Sequence, residues 1–326
     1  MNLHLREEKL EDLREEWDDL LLRSPYPTVF ETPAWHSIWW EEFSGEARLH
    51  IIAGRENNRL IGIAPFMFNG NDRLMFVGDT DLWDYHKVIV ENSKMEEFFS
   101  SLLAYINQLK WAVMDFSSLQ ETSETYQGIL AMVEKAELEF DVNREGVSPG
   151  IKLPGTWDEY LANLNKKNRH ELRRKIRKLE SEASFKWFSV DVNPSSNEAL
   201  SDFFSLMRES RHDKAMFLTP ERERFFRRIA RAMGEAGYLK LFFMEIDGQR
   251  VAAVWCFDMG NVRYLYNSGF NPAFGHLSVG LLLKAFCLKD AIETGMDYFD
   301  FLRGDERYKY DLGAQDVVLY NMVVSR

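Results

Sequence analysis

The chain has 326 residues, 45% of them hydrophobic and 14% aromatic, which is more core material than one domain usually organises. Its formal net charge of −12 speaks against general nucleic-acid binding, which wants a basic domain, and no long polar tract suggests disorder. Two cysteines, Cys256 and Cys287, lie in apolar runs without metal-ligand spacing, so they read as core fillers and not as a disulfide framework.

The N-terminal segment MNLHLREEKLEDLREE is acidic and amphipathic, with no apolar stretch for secretion. No later segment approaches membrane-spanning length, so a cytoplasmic location is expected. Trp35, Trp39, Trp40 and Phe43 fall at helical spacing and read as core or cleft wall. An internal repeat follows. Residues 59–64 (RLIGIA) reappear as residues 250–255 (RVAAVW), and Gly78 as Gly269, both at an offset of 191. Residues 114–116 (MDF) mirror residues 299–301 (FDF) at an offset of 185. Three matches in order predict two copies of one domain, each with a strand pair, a third strand, a helix and a closing strand. The fold class predicted is α/β, an α+β mixed sheet with antiparallel hairpins and a crossover helix. The boundary is expected near Pro149-Gly150, or at Pro154-Gly155, and the first choice gives domains over residues 1–150 and 151–326.

After that boundary comes TWDEYLANLNKKNRHELRRKIRKLESEA, in which apolar residues recur every three or four positions, predicting one long helix. Between Asn165 and Lys178 it carries eight Lys or Arg against one acid, Glu171. A charge run is ordinarily a solvated face. In an otherwise acidic protein, however, Lys166, Arg169 and Arg173 suit CoA phosphates or an anionic sugar substrate.

The densest signal runs from Gly275 to Lys309, GHLSVGLLLKAFCLKDAIETGMDYFDFLRGDERYK. Ser278 is placed to cap a helix with Gly280 in its first turn, so the backbone N–H groups of residues 278–281 point outward, ready for a phosphate. Gly295 stops that helix, and a strand over residues 296–302 delivers Arg303, Asp305, Glu306, Arg307, Tyr308 and Lys309 to one end of a sheet. Gly275 to Gly280 is one residue too long for a Gly-x-Ser-x-Gly nucleophile elbow, and no GxGxxG or GxxxxGK[ST] occurs. Asp81, Asp84 and His86 lack a second ligand cluster, so no metal is expected.

Ser278-Val279-Gly280 before a helix, then Asp300-Phe301-Leu302-Arg303-Gly304-Asp305-Glu306-x-Tyr308-Lys309, resembles the GNAT-like domain of the CelD/BcsL family. These are acetyltransferases linked to bacterial polysaccharide synthesis and distant relatives of Fem-type aminoacyl transferases. The likeness extends to Trp35, the Asp84-Tyr85 pair and the basic segment near Arg173. It implies tandem GNAT-like domains and direct attack of an amine or hydroxyl on the thioester of acetyl-CoA or another acyl-CoA. The acceptor it implies is a small molecule or a glycan precursor. The roles it implies are Asp300 or Glu306 as base, Tyr308 as acid and Lys309 as charge stabiliser. Main-chain N–H groups near Tyr266 would meet the oxyanion where that strand splays, and Ser278, Val279, Gly280 and Leu281 would hold the pyrophosphate. Trp35, Asp84, Tyr85, Lys166, Arg169, Arg173, Arg303 and Asp305 would line the acceptor. The sequence departs from the family in two places. Of the pyrophosphate signature Gln/Arg-x-x-Gly-x-Gly/Ala only Gly280 remains, with Ser278 and Gly275 at the other positions. Where the family often shows Leu-His this chain has Leu206-Met207, so Arg208, Arg211 or His212 would have to compensate for the missing base. Two other readings stay open: a Fem-like transferase using aminoacyl-tRNA, and a non-catalytic polysaccharide-assembly partner.

Overall fold

The computed structural model describes residues 3–191 and 197–326. In chain order the first elements are β1 (His4–Glu7), α1 (Leu10–Arg23), α2 (Pro33–Phe43), β2 (Arg48–Glu56), β3 (Arg59–Asn69), β4 (Arg73–Phe76), β5 (Ile89–Val90), α3 (Met95–Ile106), β6 (Val113–Gln120), α4 (Glu124–Lys135) and β7 (Glu139–Val147). There follow β8 (Gly150–Lys152), α5 (Trp157–Asn163), α6 (Lys166–Glu182), β9 (Phe185–Val190), α7 (Asn197–Ser210), α8 (His212–Phe217), α9 (Pro220–Glu235), β10 (Leu239–Ile246), β11 (Gln249–Met259) and β12 (Val262–Phe270). The chain closes with α10 (Val279–Glu293), β13 (Tyr298–Asp300), α11 (Arg307–Asp311) and β14 (Val318–Ser325). It divides into two units, residues 1–147 with 317–326, and residues 148–316.

The first unit is built on a sheet ordered β1-β2-β3-β4-β6-β14-β7, with β5 added against β3. Strand β3 is buried on both faces from Leu60 to Phe68, which its unbroken apolar run requires. Helix α3 lies so close that its Phe98 ring occupies the space a Cβ would need at Gly54 and Gly62, 2.6 and 2.3 Å away. Only glycine admits that approach. Helix α2 starts on a capped turn, with Thr32 accepting from the Trp35 N–H and Pro33 at the first helical position.

The second unit carries a sheet ordered β8-β13-β12-β11-β10-β9. Strand β11 is buried from Val251 to Phe257, and α10 is buried nearly all round, matching its continuous apolar sequence. Helix α7 crosses β12 at Gly269, where a Cβ would stand 2.3 Å from the Met207 backbone nitrogen.

The repeat predicted from sequence forms equivalent elements in the two sheets. Residues 59–78 and 250–269 each make an antiparallel pair, β3–β4 and β11–β12. Each pair continues into a parallel strand, β4 to β6 and β12 to β13, with Met75 opposite Asp115 and Tyr264 opposite Asp300.

Four sequence expectations are corrected. Residues 151–326 do not form one domain, because β14 pairs with β6 and β7 of the first sheet, burying Leu319, Met322 and Val324. The basic segment is two helices. Leu164 turns extended (ψ 144) and Asn165 caps the restart by accepting from the Asn168 N–H. The strand after Gly295 spans three residues instead of seven, because Leu302 adopts a left-handed conformation (φ 58) and turns the chain. Ser278 stands at the start of α10, but in a left-handed conformation (φ 58) and without a side-chain capping bond.

Candidate active site

The start of α10 is built by α6. With Ser278 unable to cap, its Oγ accepts instead from Lys175 Nζ at 3.0 Å, and Lys178 Nζ donates to the His276 carbonyl at 2.9 Å. Two lysines of the basic helix thus fasten the turn that precedes α10. The first N–H groups of that helix, at Val279, Gly280 and Leu281, have no acceptor within it. Gly280 is needed here: a Cβ would come 2.9 Å from the Phe270 ring. Beside this start opens a cleft of about 490 Å³ lined by Lys167, Asn168, Glu171, Lys175, Leu281 and Arg307, among others. The acids in that wall are Asp311, 3.7 Å from Arg307, and Glu171. For Glu171 a hydrogen bond to Arg174, with further help from Lys175, holds the pKa down at about 2, so its charge is already matched. Helix N–H groups and lysines around one opening make a seat for a phosphate or pyrophosphate.

Lys166, Arg169 and Arg173 do not join this cleft. They line a second, shallower groove of about 660 Å³ with Arg177, His170 and Trp157, on another side of α6. Arg169 is turned onto its own chain, donating to the Ala162 carbonyl at 2.8 Å.

On β12 the ladder to β11 slips. Trp255 faces Asn267 while Cys256 faces Leu265, leaving Tyr266 as the extra residue. A bulge at Tyr266 splays the strand and takes its peptide group out of regular pairing. The Tyr266 ring leans on Phe257 and Phe226, with centroids 5.4 and 5.9 Å away. Against the next two residues lies Lys214 of α8, whose Nζ donates to Asn267 Oδ1 at 3.1 Å and to the Ser268 carbonyl at 2.5 Å. Burial, then the charges of Lys284 and Arg211, bring its pKa from 10.5 to about 7, against the opposing pull of Glu306 and Asp213. Lys284 of α10 is itself buried, with Nζ 3.4 Å from the Gly280 carbonyl and 4.6 Å from the centre of the Tyr308 ring. Burial lowers its pKa to about 8 even with Glu306 opposing. Neither lysine was among the residues singled out in the sequence. Lys284 had a signal, a single charge inside the apolar run LLLKAFCL; Lys214 had none, because its burial comes from contact with β12, 53 residues on.

The four residues expected to do chemistry are fastened to one another and to the loop. Lys309 is 1% exposed and donates to the carbonyls of Leu302, Arg303 and Gly304 at 2.9, 2.8 and 2.9 Å, with Glu306 at 2.9 Å. Its donors are consumed by the loop, so it is a pin for residues 302–306 and not a charge held ready for a substrate. Asp300 is buried and accepts from Ser148 Oγ at 3.2 Å and the Leu302 N–H at 2.8 Å, so it fixes the left-handed turn and leaves the role of base. Burial, then the nearby Glu306, pushes the Tyr308 hydroxyl well above its ordinary value, which makes it a poor acid. Burial would raise the Glu306 carboxyl, but Lys309 beside it outweighs this and holds it below the usual range. A carboxylate so stabilised is a weak base. Arg303 and Asp305 sit on the same loop, half-buried and exposed respectively.

Of the substituents proposed for the missing histidine, Arg208 pairs with Glu223 and Arg211 with Asp213 at 2.7 Å, while His212 is exposed at the start of α8. In the first unit, Trp35 and Tyr85 are 0% and 1% exposed within a cluster of rings that includes Phe30 and Trp83. They are core, and no substrate reaches them in this conformation; Asp84 between Trp83 and Tyr85 is half-buried. Among the described residues no group of three or more His, Cys, Asp or Glu could hold a metal ion, and no helix is long and apolar enough to cross a membrane.

Residues 166–310 match the model of the acetyltransferase (GNAT) domain. No curated protein matches the chain in sequence. Among solved structures it is similar to FemX, with a TM-score of 0.66 at 12% identity over 98% of this chain and 96% of that one. It is also similar to L-PGS from Bacillus licheniformis (TM-score 0.56, 12% identity, 89% of this chain and 90% of that one). A tandem GNAT protein from the clavulanic acid biosynthesis pathway aligns with a TM-score of 0.51 at 10% identity, over 99% of this chain and 98% of that one. At such identities the likeness speaks to fold. The chain has a mixed α/β, tandem GNAT-like acyltransferase fold, and its GNAT acetyltransferase domain match lies in the second unit.

Proposed function

We propose that this chain is an acyltransferase that takes its acyl group from acetyl-CoA or another acyl-CoA at the second unit. The observation that carries the reading is the start of α10. Its outward N–H groups at Val279 to Leu281, flanked by Lys175, share a GNAT-matching domain with the strand bulge at Tyr266. An acyl-CoA needs both: an anion seat for the pyrophosphate and main-chain donors near the thioester oxygen, which a strand leaving its regular register can present. An amine or hydroxyl attacks the carbonyl carbon, the new bond forms as the carbon–sulfur bond breaks, and the thiolate departs. In this reading no metal takes part and no specific DNA is bound. The acceptor is a small molecule or a cell-envelope or polysaccharide precursor, in line with the CelD/BcsL resemblance, approaching past Arg303 and Asp305. Such a reaction belongs in the cytoplasm, where acyl-CoA is made.

Calorimetry with acetyl-CoA tests the donor. Binding that weakens with salt and drops tenfold or more in Lys175→Glu supports it. A protein that takes up no acetyl-CoA at millimolar concentration but binds aminoacyl-tRNA would replace it with the Fem-like reading. Two observations favour that alternative: the similarity to FemX along nearly the whole chain, and the groove of Lys166, Arg169, Arg173 and Arg177 along α6, a surface for a larger polyanion.

A further inference from the structure

We propose that Lys214 is the proton acceptor for the attacking nucleophile. The inference rests on the acyltransfer reading above and deepens it, because the two carboxylates expected to act as base, Glu306 and Asp300, are engaged within their own loop. Glu306 is bound to Lys309, Asp300 is buried under the Leu302 turn, and Leu206-Met207 stand where a histidine base is often found.

The geometry at Lys214 suits an amine acting as a base. A neutral Nζ has two hydrogens and one lone pair. Asn267 Oδ1 and the Ser268 carbonyl, at 3.1 and 2.5 Å, accept the two hydrogens and leave the lone pair as the remaining valence. Both acceptors lie on β12 immediately after the Tyr266 bulge, the place where the thioester carbonyl meets main-chain donors in the acyltransfer reading. Lys214 is half-buried, and that burial strips water from the charged form. The charges that face it are Lys284 on α10, Arg211 and Asp213 at the start of α8, and Glu306 before α11. Burial is the largest influence, the two cations add to it and the two anions oppose it, leaving the amine neutral for much of the time near pH 7. A base poised near the operating pH transfers protons most effectively.

In the step itself the acceptor nitrogen or oxygen bonds to the acyl carbon as the carbon–sulfur bond breaks. The nucleophile's proton passes to Lys214 Nζ. The thiolate takes a proton from water, the Lys214 ammonium returns its own, and no other reactant is consumed. Lys284, one turn into α10, acts on Lys214 as a positioning residue: its positive charge keeps a second positive charge from forming beside it.

The test uses the full chain and acetyl-CoA as probe. Lysines are dimethylated with ¹³C-formaldehyde and followed by NMR across pH, the Lys214→Arg variant identifying the Lys214 signal. We expect that signal to titrate near pH 7, and in Lys284→Met to move up by half a unit or more. Separately, protein incubated with acetyl-CoA and no acceptor is digested and mapped by mass spectrometry. An unprotonated amine beside the thioester should be acetylated at least tenfold faster than other lysines, with a rate that rises through pH 7. A Lys214 signal titrating near pH 10, or binding of acetyl-CoA without selective acetylation of Lys214, overturns the assignment. Titration near pH 7 in a protein that binds no acetyl-CoA supports the lysine and removes the acyl-CoA donor, so the two failures are distinguishable.

Discussion

The two sheets present the same helix in two chemical settings. Helix α3 of the first unit begins with Glu96 and Glu97 in its first turn, where they satisfy the helix dipole and repel an anion. Its counterpart α10 has no acid in its first turn, begins on a left-handed Ser278, and has Lys175 reaching to that serine. Strand ends differ in the same way. In the first unit Asp115 is tied to Arg73 and to Asn321, at 2.5 and 2.7 Å, with Phe66, Phe76 and Phe116 packed as rings nearby. In the second, Asp300 is followed by a loop that Lys309 holds open by its carbonyls. The frame is shared, but only the second copy's helix start is free of first-turn acids and has a lysine against it. A duplicated fold therefore says where a site can be, and the charges at equivalent positions are what distinguish the copies.

The sharpest way to break the comparison is at Gly269, which repeats Gly78. Gly269→Ala drives a methyl into the backbone of α7 and should cost about 3 kcal/mol or more in urea unfolding. Gly78→Ala carries an unfavourable φ of 128 but meets the Trp83 and His86 side chains and not a helix backbone, so it should cost less, because a side chain can shift where a backbone cannot. Equal costs would show that α7 yields. Next in size is Lys309→Met, which strands three carbonyls and should lower stability by roughly 3 kcal/mol, read from the same unfolding curves. A stable Lys309→Met protein that loses only turnover would return Lys309 to catalysis.

Anion affinity separates the two helix starts. Lys175→Glu should weaken acetyl-CoA binding by tenfold or more, about 1.4 kcal/mol, whereas Glu97→Lys in the first unit should leave it within twofold. An equal response would mean both copies bind. The smallest effect concerns Lys284. Its pKa in the folded chain is about 8 and its ordinary value 10.5, so between these the unfolded chain holds a proton that the folded one has released. Stability from this group therefore rises as pH climbs from 8 to 10.5 and is lowest below 8, where an ammonium is buried. Lys284→Met should flatten that rise and lift the melting temperature at pH 7 by roughly 1 to 3 °C. A melting temperature that falls would show that the cation over Tyr308 stabilises the fold.

What the sequence determined by itself was periodic or local. The offset of 191 residues, the run of β3 and its echo in β11, and Gly295 (φ 80) ending α10 all depend on neighbours in the chain. Their physics is burial and backbone freedom, which a residue carries wherever it is placed. The basic character of α6 and the ionisable cluster after Leu302 were legible too, but not what each charge does. Lys309 reads as a free cation until the Leu302 turn brings three carbonyls onto it, and Trp35 reads as core or cleft wall until Phe30 and Trp83 close over it. Membership of β14 in the first sheet and the acidity of Lys214 were decided only by tertiary structure. Both depend on partners far away in sequence, β6 for the strand, and Asn267, Ser268 and Lys284 for the lysine. A pairing or a pKa is a property of surroundings, and surroundings exist only once the chain has folded.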